Sequence, residues 1–149
     1  MGPTETRWNN ALSAIRNHGI TVRENVVSCC RTCIGHEELE ISKKDYEAGL
    51  WAYTYGSQRS GYVFRTIGDM DYVLVWDDEA GEWESDEQDE GPLERVSNPV
   101  VDGPVEWVYF NFWNTDVAEI IVEAFQEQGF PVEWDGNANQ CVKVKPNNL

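Results

Sequence analysis

Residues 105–134 read VEWVYFNFWNTDVAEIIVEAFQEQGFPVEW, and this stretch decides the class of fold. Val105 to Trp113 is dense in β-branched and aromatic residues, which suit a pleated, half-buried surface and predict a strand. The period then changes. Asn114 or Thr115 can accept the first N–H groups of a helix, and Asp116 puts negative charge at its positive end. Val117, Ile120, Ile121, Ala124 and Phe125 recur at three- and four-residue spacing as one apolar stripe. Gly129 stops the helix, and Phe130 to Trp134 returns as a strand. The turn Asp135-Gly136-Asn137 leads into Gln140 to Lys145, which makes a closing hairpin.

Working outward, Trp8, Ala11, Leu12 and Ile15 mark a first helix, with Thr4 as its cap and Gly19 as its stop. Ile20 to Val27 reads as a β-segment, and Glu37 to Ala48 holds a short helix that Gly49 ends. Leu50 to Tyr55, Tyr62 to Ile67 and Tyr72 to Trp76 are three aromatic and β-branched runs with Gly-containing turns between them. They predict consecutive strands of an antiparallel meander. The expected class is α+β: a single, mostly antiparallel β-sheet with two main helices packed on one face, as one domain over residues 1–149. A chain of 149 residues buries roughly 70% of its unfolded surface, enough for a core without disulfides. Trp107 and Tyr109 share one strand face and are expected in that core.

Charge is the unusual property: 27 acidic against 11 basic residues give −16. Residues 1–65 are close to neutral, whereas residues 66–142 carry twenty acidic side chains and one basic, Arg95. Ten of the eighteen residues from Asp77 to Glu94 are acidic and none is basic. With Pro92, Pro99 and Pro104, this predicts a long solvated acidic loop over Asp77 to Pro104. Such a balance excludes direct binding to a phosphate backbone, which needs clustered Lys and Arg. It points instead to a basic protein partner, whose charge would relieve the repulsion among neighbouring carboxylates. Asp77, Asp78, Glu79, Glu82, Glu84, Asp86, Glu87, Asp89 and Glu90 are the candidate partner-binding residues. Trp83, inside the acidic run and outside any apolar period, is the candidate anchor. No apolar run is long enough to span a membrane.

The second candidate site is Cys29-Cys30-Arg31-Thr32-Cys33-Ile34-Gly35-His36. Cys30 and Cys33 have the spacing that presents two thiolates to zinc, and His36 lies three residues further on. A fourth ligand has to arrive through the fold, from Cys141 or His18. Two other readings stand beside metal binding: a thiol made reactive by its position and by Arg31, and three small thiols packed beside the first helix. The clustered cysteines, together with a first segment lacking an apolar signal region, lead to a reducing, cytoplasmic setting as the expectation. There is no Gly-rich phosphate loop, nucleophile elbow or His-Glu-x-x-His, so no motif fixes a reaction.

The order Gly19-Ile20-Thr21-Val22-Arg23-Glu24-Asn25, then Cys29-Cys30-Arg31-Thr32-Cys33, then Gly61-Tyr62-Val63-Phe64, ends on a helix, Gly129 and Trp134-Asp135-Gly136. It resembles an uncharacterised bacterial and phage family, a domain of unknown function with a Cys-Cys-x-x-Cys-Gly motif and a terminal Trp-Asp-Gly. Here Ile34 stands between Cys33 and Gly35, where the family pattern has Gly directly after the third Cys. The resemblance implies an intracellular bacterial or phage setting and no particular activity. The functional expectation is a non-enzymatic, acidic protein-binding module. It would be an inhibitor or adaptor that covers a basic surface, as phage anti-host-defence and immunity proteins do by nucleic-acid mimicry. The alternative is a zinc- or thiol-dependent site at Cys29, Cys30, Cys33 and His36.

Overall fold

The computed structural model describes residues 2–26, 34–56, 61–77 and 100–146. Three helices, α1 (Pro3–Arg16), α2 (Lys43–Ala48) and α3 (Thr115–Glu127), lie among the described residues. The strands are β1 (Thr21–Val26), β2 (Trp51–Tyr55), β3 (Gly61–Ile67), β4 (Met70–Asp77), β5 (Val100–Pro104), β6 (Val108–Phe112), β7 (Val132–Glu133) and β8 (Val142–Val144). The class is α+β, as the sequence predicts.

The single sheet is corrected to two. One has the order β1-β2-β6-β8-β7 and the other β3-β4-β5. β2 therefore leaves the expected meander: it pairs in parallel with β1 and antiparallel with β6, while β3 and β4 form a hairpin of their own. All five residues of β2 are buried, so a strand covered on both faces shows no alternation to betray its partners. Two further boundaries move. Val100–Pro104 is a strand paired with β4, not part of a loop, and Asp77 is the last residue of β4, opposite Val100. The strand expected over Val105 to Trp113 contracts to Val108–Phe112.

α1 and α3 pack together on one face of the five-stranded sheet, and α1 also meets β4 of the second sheet. Trp8 is the centre of this junction. Its indole, fully buried, contacts the rings of Tyr62, Phe64, Phe110, Phe125 and Phe130, with centroids 4.6–6.1 Å away. Tilted and edge-on pairs of this kind add to the area that the rings bury. Arg7, in the second turn of α1, reaches the C-terminal end of α3: its guanidinium donates to the Gln128 carbonyl at 2.9 Å and lies over Phe130. A cation there complements the negative end of α3.

α1 is capped differently from expectation. Thr4 lies inside the helix and Gly2 holds the N-cap position without a side-chain bond. The cap comes from 67 residues away, where Asp71 of β4 accepts from the backbone N–H of Thr4 at 2.8 Å and of Glu5 at 3.1 Å. Burial raises the Asp71 carboxyl pKa, but hydrogen bonds from Glu5 and Thr4 outweigh it and hold the group below its ordinary value. Gly2 permits the approach, since a Cβ there would lie 2.5 Å from the Asp71 side chain. Asn114 caps α3 as predicted, accepting from Asp116 N at 2.9 Å, and Gly19, Gly49 and Gly129 all follow helices with positive φ.

Candidate functional site

β6 and β8 pair antiparallel, with Val108 opposite Val144 and Phe110 opposite Val142. These four side chains are buried against the helices. Alternation along a strand then turns Tyr109, Asn111, Cys141 and Lys143 to the opposite face. The expectation that Trp107 and Tyr109 are core is corrected here: Tyr109 is 44% exposed and Trp107 only half-buried. The phase of β6 is set by its partner. In Cys141-Val142-Lys143-Val144-Lys145 the valines must face inward, and pairing carries that choice across to Val108 and Phe110.

Over β1 and β2, a second apolar cluster occupies this outer side. Ile34, Leu39, Ile41 and Tyr46 pack on Val26, Trp51, Tyr53 and Tyr55. Over β6, β8 and β7 a groove of about 710 Å³ is open, lined by Tyr109, Glu133, Trp134, Asp135, Cys141 and Lys143 among others. Its polar groups are ordered. Cys141 donates its thiol to Asn111 Oδ1 at 3.2 Å. Lys143 Nζ is 3.3 Å from the Glu133 carboxylate and 5.4 Å from the centre of the Trp107 ring. Asp135 Oδ1 accepts from Asn137 N at 2.9 Å, and Trp134 Nε1 donates to the Asn137 carbonyl, which fixes the predicted turn. Trp113, at the end of β6, is 70% exposed and lies over Gly49, where a Cβ would come within 2.7 Å of the indole.

Carboxylates line the solvent side of α3, the helix that packs on the inner face of the sheet. Asp116, Glu119, Glu123 and Glu127 are all exposed on α3, spaced three or four residues apart, and the helix carries no Lys or Arg. Such spacing aligns like charges along one helix face. Residues 100–146 hold eight acidic and two basic side chains.

A smaller cavity of about 300 Å³, lined by Glu5, Asn9, Glu24, Asn25, Tyr62 and Phe64 among others, marks where β1 meets β3. Its polar groups join the two sheets. Glu24 Oε2 accepts from Trp8 Nε1 at 3.1 Å and from the Tyr62 hydroxyl. Burial first, and then the Glu24 charge, push the Tyr62 phenol well above its ordinary range, which keeps it a donor. Asn25, at φ 57° in an irregularity of β1, donates Nδ2 to the Tyr62 carbonyl at 2.8 Å and accepts from Tyr62 N at 3.0 Å. The amide thereby stands in for a neighbouring strand. Gly56 lets this bulge close, because a Cβ there would lie 2.7 Å from the Asn25 backbone.

Of the residues predicted as sites, Asp77 closes β4, while Asp78, Glu79, Glu82, Trp83, Glu84, Asp86, Glu87, Asp89 and Glu90 lie outside the described residues. Cys29, Cys30 and Cys33 lie outside them as well. His36 is half-buried in the turn at residues 36–40, its ring 6.4 Å from that of Tyr46. Among the described residues no group of three or more His, Cys, Asp and Glu is arranged to hold a metal, and no helix is long and apolar enough to cross a membrane. Neither proposed fourth ligand is set apart as one: Cys141 lines the groove, and His18 is exposed in the turn after α1. No protein-family model, curated protein or solved structure matches the chain.

Proposed function

We propose that the chain is a non-enzymatic, acidic protein-binding module, an inhibitor or adaptor that occupies a basic surface of a partner protein in a cytoplasmic setting. The observation that carries this reading is the coincidence of exposed aromatic rings with a large excess of carboxylates over residues 100–146. Tyr109 and Trp113 supply broad, rigid contact area at the surface. The α3 carboxylates, three or four residues apart on one helix, repel one another within a screening length of about 8 Å at physiological salt, and ten more acidic residues stand in the sequence from Asp77 to Glu94. A cationic partner removes that repulsion and is steered toward the rings by the same field. Protein surfaces that ordinarily meet nucleic-acid phosphates carry the complementary chemistry.

The test is a column of the immobilised chain, loaded with host lysate at low salt and eluted by raising the salt. Basic proteins should be retained and then released. Replacing residues 77–90 by a neutral linker of equal length should remove most of that retention. A native column that holds no salt-sensitive basic protein defeats the reading, as does full retention by the neutral variant.

A further inference from the structure

The cavity of about 300 Å³ where β1 meets β3 gathers two carboxylates, and none of the described residues that line it is Lys, Arg or His. Glu5 and Asn9 are four residues apart on α1, so they lie one above the other on the helix face that borders the cavity. Glu24 and Asn25 enter from β1. Both Glu5 and Glu24 are half-buried, and neither has an ion pair among the described residues. Glu24 is also held in place. Its Oε2 accepts from the Trp8 indole at 3.1 Å and from the Tyr62 hydroxyl, two neutral donors that orient the carboxylate without supplying a counter-charge. A carboxylate accepts at about four positions, so capacity remains for a further donor. The Asn25 amide is fixed by its bonds to the Tyr62 backbone at 2.8 and 3.0 Å. Val63 and Phe64 add an apolar wall. Charge taken out of water calls for a partner, and a concavity of carboxylates, amides and a ring complements a positive group on an apolar stem.

We infer that this cavity binds a primary ammonium group on a short apolar stem, with Glu5 and Glu24 as its counter-charges. The inference goes beyond the protein-binding reading and stands independently of it. A free alkylamine and a lysine side chain offer the same group. Ammonium is favoured over guanidinium because it is a compact point charge with three donors, suited to a small cavity.

The probe is n-butylammonium chloride, titrated into the isotope-labelled chain at constant ionic strength and followed by NMR. The Trp8 indole N–H and the Asn25 side-chain amide should shift and saturate, while the Trp113 indole stays unchanged. n-Butyrate, of opposite charge, should shift none of them. Glu5→Gln should weaken binding about tenfold. It keeps the α1 cap, which uses the Glu5 backbone N–H. Glu24→Gln, whose amide oxygen can still accept from Trp8 and Tyr62, should weaken binding as much; if it fails to fold, Glu5→Gln carries the test. The tripeptide Ala-Lys-Ala, run in parallel, separates the sources: saturation as tight as that of butylammonium assigns a partner's lysine, and saturation by butylammonium alone assigns a free amine. Shifts that never saturate, or that move Trp113 equally, are the general attraction of a −16 chain for cations and overturn the inference. Native affinity in Glu5→Gln overturns it as well. Neutralising residues 77–90 should leave the titration unchanged, so its outcome is read separately from that of the lysate column.

Discussion

β6 and β8 show two different surfaces on one backbone. Toward the helices they present Val108, Phe110, Val142 and Val144, all buried; toward solvent, the residues between these are Tyr109, Asn111, Cys141 and Lys143, half-buried or exposed. The inner face is held by packing, and little there can change without loss of contacts on every side. The outer face contributes little to that packing, yet it carries aromatic area and ordered polar groups. Rings that the fold does not need for its core are available to a partner. That contrast supports reading the outer face as the working one.

Substitutions separate the two faces by the size of their effects. Trp8→Ala empties the centre of the inner side, where five other rings converge, and should destabilise the fold by about 3–5 kcal/mol in urea unfolding. The joint between the sheets comes next. Asn25→Ala leaves the buried N–H and C=O of Tyr62 without their side-chain partners, an expected loss of about 1–3 kcal/mol in the same experiment. Asp71→Ala uncaps α1 and should cost about 1 kcal/mol near neutral pH. Because the folded Asp71 pKa is lowered, its contribution is present above the unfolded value and is lost as pH falls through the folded one. The stability gap between native and variant should therefore close in acid. Smallest of all, Tyr109→Ala should stay within about 0.5 kcal/mol of native stability. A loss there as large as that of Trp8→Ala would erase the distinction between the faces.

Much of the fold was legible where a signal is local. The change of period at Asn114, the apolar stripe of α3 and the glycines that end the helices all act within a few residues, and each appears as read. What failed was partnership. Leu50 to Tyr55 and Tyr62 to Ile67 look alike as strands, and nothing in either run says that the first pairs with β1 and β6. The Asp71 cap on α1 is likewise invisible from Thr4. β6 misled for another reason: both of its alternating sets, Trp107 and Tyr109 against Val108 and Phe110, are apolar or aromatic, so alternation alone could not choose the inner one. The cleaner alternation of Val142 and Val144 held that information, but only once the pairing is known. The acidic bias was plain from composition, and it continues through the exposed residues of α3. The groove was missed because its residues come from three strands and converge only through sheet order.

Hydroxyl-radical footprinting of the native chain tests the division of faces directly. Tyr109 and Trp113 should be labelled readily, while Trp8 stays protected. Protection of Tyr109 and Trp113 equal to that of Trp8 would contradict the account.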